Sequence, residues 1–188
     1  MTAVEKYGPV LGQLLAEPRL QALGPGTPHE IARRALAGLS VAAAFAHTSV
    51  RDADMANCCL AGVWLYHDGV DEAHTIAQEV NTSTGSYWHA IVHRREPDYW
   101  NSKYWFRRVG AHPIYPALAL ETQKLATSAG ESLRSPTWDA LAFVDLCERA
   151  AKDATLAALC RQVQQREWDL LFDHCYRAAI GSTSGFPA

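Results

Sequence analysis

The spacing of apolar residues constrains the fold of this 188-residue chain more than any other feature. Apolar residues recur three and four positions apart, for example at Leu60, Val63 and Trp64 and again between Leu156 and Phe172. This period is typical of amphipathic helices, whereas half-buried strands alternate apolar and polar residues. Such alternation never extends beyond a few positions here. The chain is therefore predicted to be all-α, a single-domain helical bundle of six to eight helices.

Capping residues and prolines predict the first helical boundaries. Thr27, Pro28 and Glu30 form a capping-box signal, so a helix is expected from Pro28 to about Thr48. Residues 1–27 precede this signal and are rich in glycine and proline near their end. They are expected to form an N-terminal arm with one short helix, at about Val10 to Leu15.

The remaining boundaries follow from similar signals. Asp52 or Asp54 is expected to cap a helix that kinks or breaks near Gly69, because glycine weakens a helix interior by ~1 kcal/mol relative to alanine. Residues 130–135 are predicted to form a linker, and residues 181–188 are predicted to form a frayed tail. Further helices are predicted to end at about Arg95, Val109, Ser128, Ala150 and Ile180.

Composition excludes several classes of protein. The net charge of −3 gives no electrostatic reason to expect binding to nucleic acid or to an anionic membrane. No apolar stretch approaches the ~18 residues of a transmembrane helix, and the N-terminus lacks the pattern of a signal peptide. The five cysteines are odd in number and form no CxxC pair. Reduced thiols in a cytoplasmic protein are therefore expected.

Polar chemistry is concentrated between Leu65 and Pro113. This stretch holds five of the eight histidines: His67, His74, His89, His93 and His112. Two triplets within it share the spacing i, i+4, i+7, namely His67, Asp71, His74 and His89, His93, Glu96. Such a triplet lies within ~60° on one side of a helix. If the two segments pack as a helical hairpin, four to six imidazole and carboxylate groups converge.

A convergent set of this kind suits a divalent metal, and Zn²⁺, Fe²⁺ or Mn²⁺ are the candidates. Because i to i+7 spans ~10.5 Å, one ion cannot easily use a whole triplet. The simplest ligand set is His89 and His93 with His67 or Asp71. Two alternatives remain open: a metal-free acid–base network, and a purely structural network of hydrogen-bonded histidines.

A second group of residues is cationic and aromatic. Arg95, Lys103 and Arg107 are candidates for binding a carboxylate or phosphate of a ligand, and Tyr87 and Trp88 are candidates for the pocket wall. In the alternative interpretation Arg95 and either Arg107 or Arg108 pair with the nearby acids Glu96 and Asp98, and the aromatic residues belong to the core.

The block from His89 to Gly110 resembles a group of bacterial and fungal proteins of unassigned function. The matching residues are H-x-x-x-H-R-R-E at His89–Glu96 and N-S-K-Y-W-F-R-R-V-G at Asn101–Gly110. The resemblance covers about fifty residues when the upstream HDGVDEAHTIAQ is included. The resemblance implies a functional site in this block, but it does not indicate which activity the site has.

Three functions fit the sequence. The first is an enzyme acting on a small anionic metabolite, a hydrolase, lyase or oxygenase, with His74, His89, His93 and Glu96 as catalytic groups. The second is a non-catalytic module that binds a metal or a small molecule. The third is a structural helical protein that self-associates as a homo-oligomer. No serine or cysteine has the setting of a catalytic nucleophile.

Overall fold

A computed structural model describes residues 1–128 and 137–182 and contains only helices in these ranges. The prediction of an all-α fold is confirmed, but ten helices are described rather than six to eight. The predicted linker at 130–135 and most of the predicted tail, 183–188, lie outside the described residues. The helices are α1 (Ala3–Leu14), α2 (Glu30–Leu36), α3 (Val41–Ala44), α4 (Ala53–Tyr66), α5 (Val70–Ala77), α6 (Ser83–Arg95), α7 (Tyr99–Val109), α8 (Tyr115–Ser128), α9 (Ala140–Ala150) and α10 (Ala154–Ala179).

The first helix begins earlier than the predicted Val10. Thr2 and Glu5 form a complete capping box, in which the Glu5 amide donates to the Thr2 hydroxyl at 3.2 Å and the Thr2 amide donates to Glu5 Oε2 at 2.6 Å. This box satisfies two of the amides that a helix start leaves free. Gly8 interrupts the helix with a φ of 77°, so α1 is kinked before Pro9.

The single helix expected from Pro28 to Thr48 is two short helices. Gly38 adopts a φ of 77° between α2 and α3, a conformation that ends a helix and that glycine adopts at no steric cost. The N-cap of α2 is His29, without a side-chain capping bond, and not the expected Thr27. Ser40 starts α3, because its hydroxyl accepts from the Ala43 amide at 3.2 Å.

The break near Gly69 is confirmed. Asp52 caps α4 by accepting from the Met55 amide at 3.0 Å, and the helix ends at Tyr66 with His67 as its C-cap. Asp68 then takes a φ of 61°, and Gly69 starts α5. The chain therefore turns between His67 and Asp71, so these residues do not share a helix face.

The core is centred on α6, which is buried from Thr84 to Arg95. It packs against α4, α5 and α7, and the Ser102 hydroxyl of α7 donates to the Ala90 carbonyl of α6 at 2.8 Å. All five cysteines are free and buried. Within residues 1–128 and 137–182, no helix combines the length and apolar character needed to cross a membrane. Because α5 and α7 both contact α6, their side chains surround its polar positions.

Candidate metal centre

Three histidines meet where α5 packs against α6. One ring nitrogen from each of His74, His89 and His93 lies within 4.8 Å of the other two. The ring centroids are 4.7 Å apart for His74 and His89, 4.9 Å for His74 and His93, and 4.8 Å for His89 and His93. Three imidazoles at this separation are close enough to hold one metal ion.

The local sequence explains this arrangement. His89 and His93 are four residues apart on α6, so their rings stack on one side of the helix with an interplanar angle of 17°. Thr82 fixes the start of α6 by accepting from the Gly85 amide at 3.0 Å. The preceding helix α5 then places His74 opposite the two stacked rings. The prediction that these segments bring imidazoles together therefore agrees with the positions of three of the histidines.

Glu96, the C-cap of α6, bridges two of these rings. Its Oε1 lies 3.0 Å from Nδ1 of His74, in a hydrogen bond that the imidazole donates. Its Oε2 lies 3.0 Å from Nδ1 of His93, close enough for an ion pair but not aligned as a hydrogen bond. A carboxylate that holds Nδ1 leaves Nε2 of the same ring available, as around many metal sites. Glu96 is thus placed to orient imidazoles rather than to act as the third ligand.

The environment of the cluster keeps its buried histidines neutral. Burial, together with the neighbouring rings of His93 and His74, lowers the pKa of His89 to about 4. Burial also lowers the pKa of His93 below its usual value, although Glu96 opposes this shift. The indole of Trp105 covers His89 at a centroid distance of 4.0 Å. Neutral imidazole is the form that binds a metal, so His89 and His93 have the protonation state that metal binding needs at neutral pH.

One side of the cluster faces solvent. The side chains of His74 and Glu96 are 29% and 27% exposed, whereas that of His93 is 10% exposed. Nδ1 of His89 is buried and has no hydrogen-bond partner among the described residues. Solvent therefore reaches the cluster mainly at His74 and Glu96, whereas His89 and His93 are buried.

His67 and Asp71, two of the expected metal ligands, lie away from this cluster. The break between α4 and α5 separates them, because His67 ends α4 and its Nε2 lies 2.8 Å from the Leu14 carbonyl. Its ring stacks on His29 at a centroid distance of 5.6 Å. Asp71 is exposed in the first turn of α5. The expected triplet of His67, Asp71 and His74 therefore contributes only His74.

Arg94 is buried and paired inside the protein. Its guanidinium donates to both carboxylate oxygens of Glu167, at 2.5 and 3.3 Å, and to the Gln164 side chain at 3.4 Å. The Tyr87 hydroxyl also donates to Glu167, at 3.0 Å. Glu167 lies on α10, so this network ties α6 to the last helix. The ion-pair partner of Arg94 is therefore an acid that is remote in sequence.

Arg95, expected to bind substrate, is also fully engaged. It donates to Asp68 Oδ1 at 2.5 Å and to the Leu65 carbonyl at 2.7 Å. Its other donors reach the segment before α2, namely the Gly24 carbonyl, the Pro25 carbonyl and the Gln21 side chain. Its side chain has no exposed surface. Arg95 therefore holds the N-terminal segment against the α4–α5 turn.

The other expected substrate-binding residues also lie away from the cluster. Tyr87 and Trp88 are completely buried, and the Trp88 indole donates to the Cys175 thiol at 3.3 Å. Lys103 pairs with Asp145 at 2.6 Å on the surface, and Arg107 is exposed on α7. Among the described residues, no ring contact, hydrogen bond or ion pair links these four side chains to the three histidines.

A cavity of 420 Å³ lies elsewhere, between α8, α9 and α10. It is lined mostly by apolar residues, including Phe143, Leu146 and Leu159. It shares no residue with the histidine cluster. Volume and apolar lining alone assign no chemistry to it, whereas the histidine cluster carries groups that can act on a substrate.

Some residues that organise the site carry no local sequence signal. Glu167 is 73 residues from Arg94, and Asp68 is 27 residues from Arg95. For Glu167 the sequence holds an indirect signal. Gln164 and Glu167 fall at helical spacing among the core residues of α10, and both are buried. A polar pair on an apolar face indicates a buried partner of opposite charge.

Comparison of the chain with protein-family models, curated proteins and solved structures found no match.

The contacts of the block from His89 to Gly110 show what most of its polar residues do. Its histidines and Glu96 form the cluster, and its first two arginines fix the surrounding helices. Asp98 caps α7, and Gly110 ends it with a φ of 65°. Lys103 and Arg107, by contrast, lie on the surface of α7 away from the cluster.

Proposed function

We propose that the protein is a metal-dependent enzyme in which His74, His89 and His93 hold one divalent ion and act on a small anionic molecule. The observation that carries this proposal is the convergence of three ring nitrogens within 4.8 Å of one another, on a side open to solvent. Three protein ligands with a free position are characteristic of catalytic metal sites, whereas structural sites use four.

The ligand chemistry favours Zn²⁺, with Fe²⁺ second. Imidazole nitrogens suit these ions, whereas Mg²⁺ and Ca²⁺ prefer oxygen. Oxygenases with non-haem iron use two histidines and one carboxylate, but Glu96 is occupied by the Nδ1 atoms of two histidines. If His74, His89 and His93 held a zinc ion, it would supply a bound water whose pKa is lowered to about 7 and would polarise a substrate oxygen. Hydrolysis or hydration is therefore the reaction class best supported.

The chain's own residues supply orientation and exclude water. Glu96 holds the rings of His74 and His93, and Trp105 covers His89. Such supporting contacts fix the tautomer and direction of a ligand and strengthen metal binding. Glu96, whose side chain is 27% exposed, accepts from Nδ1 of His74, so it can take up a proton from that ring.

A metal-free histidine relay is the second candidate. Nε2 of His74 and Nε2 of His89 are 2.9 Å apart and share a hydrogen bond. Two ligands of a tetrahedral zinc are about 3.3 Å apart when each bond is about 2.0 Å. The direct bond therefore suits a proton-conducting pair, and metal binding requires the two rings to separate by a few tenths of an ångström.

The test is metal-dependent turnover. Purified protein is treated with chelator, reloaded with Zn²⁺ or Fe²⁺, and assayed with a panel of small carboxylic and phosphoric esters. The expected result is hydrolysis that requires added metal and is lost in His93→Ala but kept in Asp71→Asn, the exposed acid on α5. If the protein binds metal but hydrolyses none of the esters, it is a metal-binding module and not a hydrolase. If it hydrolyses an ester without metal, the metal-free histidine relay is favoured.

A further inference from the structure

A polar pocket lies one helical turn from the histidine cluster. It encloses 310 Å³ and is lined by residues of three elements, including Gln78, Asn81, Thr82, Ser86, Trp105 and Arg108. Gln78 follows His74 by four residues, and Ser86 precedes His89 by three. The helices that build the cluster therefore also build this pocket. Its size falls at the lower end of the range for small-molecule sites.

Trp105 joins the pocket to the cluster. Its indole stacks on His89 at 4.0 Å, lines the pocket, and has the guanidinium carbon of Arg108 at 5.1 Å from its ring centroid. Arg108 is exposed and makes no ion pair with any residue in 1–128 or 137–182. It differs in this from Arg94 and Arg95, whose charges are neutralised inside the protein. The pocket thus contains a cation held in place by an aromatic ring.

Two further features of the pocket favour a negatively charged ligand. The first turn of the 13-residue helix α6 borders the pocket at Thr82 and Ser83, and amides at a helix start attract anions. Ser86 is only 8% exposed, lines the pocket, and its hydroxyl has no hydrogen-bond partner among the described residues. The hydroxyl oxygen is not among the fully buried polar atoms that lack a partner, so it is available to donate to a ligand in the pocket. No carboxylate from the described chain lines the pocket.

We infer that this pocket binds the carboxylate or phosphate group of a small molecule, with Arg108 and Ser86 as its specificity-determining residues. The guanidinium supplies paired donors to two oxygens, and the Ser86 hydroxyl supplies a third donor from inside the pocket. The inference rests on the proposed function in one respect, because it takes the bound anion to be one end of the substrate. The anion site itself requires no metal.

The probe is inorganic phosphate, titrated into the full-length chain at constant ionic strength with chelator present. The readout is the indole N–H signal of Trp105 in a proton–nitrogen correlation spectrum, identified by its loss in Trp105→Phe. A saturable shift is expected. Arg108→Gln is expected to weaken binding about tenfold or more, because a hydrogen bond to a charged group is lost. Ser86→Ala is expected to weaken it less, and Arg107→Gln, the exposed neighbour, is expected to leave it unchanged.

A parallel titration with acetate shows whether the pocket prefers a carboxylate. The same phosphate titration in His93→Ala separates this inference from the proposed function, since that variant loses the metal site but keeps the pocket. A shift retained in His93→Ala supports the anion site whatever the metal result. The inference is overturned if neither anion gives a saturable shift, or if Arg108→Gln binds phosphate as the unaltered protein does.

Discussion

Nε2 of His74 lies 2.9 Å from Nε2 of His89, so two imidazoles from neighbouring helices meet through their outer nitrogens. Two lone pairs cannot face each other at this distance, so a proton lies between them. Nδ1 of His74 donates to Glu96, which leaves its Nε2 as the acceptor and Nε2 of His89 as the donor. A metal ion bound to Nε2 of His89 would require that proton to move to Nδ1 of the same neutral ring, which has no hydrogen-bond partner among the described residues. Metal binding at this site is therefore expected to change the tautomer of His89 without net release of a proton from the histidines.

Removing the charge of Glu96 tests its role as an orienting group. Glu96→Gln keeps the shape of the side chain but weakens the contacts to Nδ1 of His74 and His93. Loss of such a supporting contact is expected to reduce metal affinity about 10- to 100-fold. Competition with a chromophoric chelator measures the change. Asp71→Asn serves as the matched control on α5, and an equal loss in both variants would contradict the orienting role.

The pH dependence of stability tests the burial of His112. Its Nε2 is hydrogen-bonded to Thr84 at 3.2 Å, and burial, together with the nearby His174, lowers its pKa to about 3. Between pH 6.5 and about 3 the unfolded chain therefore binds a proton that the folded chain does not. Stability contributed by this residue is complete above the unfolded value and falls as the pH falls.

Urea unfolding at about pH 7.5 and about pH 5.5 measures this effect, since carboxylates titrate mostly at lower pH. His112 alone is expected to lower the free energy of unfolding by about 1 kcal/mol across this interval. The difference between the two pH values is expected to shrink by that amount in His112→Phe, whatever that variant's overall stability. The same pH difference in both proteins would show that His112 is not buried as described.

The buried pair of Arg94 and Glu167 is expected to dominate the stability of the α6–α10 contact. Glu167→Gln leaves the guanidinium of Arg94 without its charged partner in a site with no exposed side-chain surface. Breaking a buried ion pair on one side costs about 3–5 kcal/mol. The exposed pair of Lys103 and Asp145 provides the control, because Asp145→Asn is expected to cost at most about 1 kcal/mol. Equal losses in urea unfolding would contradict the assignment.

Arg95 is expected to hold the segment before α2. Arg95→Lys keeps the charge, but a lysine ammonium cannot reach the carbonyls of Gly24, Pro25 and Leu65 at once. We expect a loss of about 1–3 kcal/mol in stability and faster amide hydrogen exchange at residues 21–29. Arg107→Lys, an exposed change on α7, is the control for exchange rates. Unchanged exchange at 21–29 in Arg95→Lys would show that the segment is held by other contacts.

Most helices could be predicted because their signals are local. Apolar spacing identified α4 and α10, and Asp52 and Gly69 marked a cap and a break that the structure contains. The helix from Pro28 to Thr48 could not be divided from its alanine content, since Gly38 acts through a backbone angle that composition does not reveal. The early start of α1 depends on the capping box at Thr2.

The site was predictable only where its residues lie on one continuous helix. His89 and His93 both lie on α6, so their spacing of four residues puts them on the same face of one helix. His67, by contrast, is separated from α5 by the turn at Asp68. Pairing of the arginines depends on α10 and on the α4–α5 turn, which are remote in sequence. Long-range partners of this kind follow from packing and not from local pattern. The same holds for Trp105, whose stacking on His89 depends on how α7 docks against α6.

Calorimetric titration of chelator-treated protein with Zn²⁺ tests the central claim most directly. We predict one ion bound per chain in the unaltered protein. His93→Ala is predicted to abolish this binding, whereas His67→Ala, which removes a histidine outside the cluster, is predicted to preserve it. No stoichiometric binding, or binding that survives His93→Ala, would contradict a metal centre formed by His74, His89 and His93.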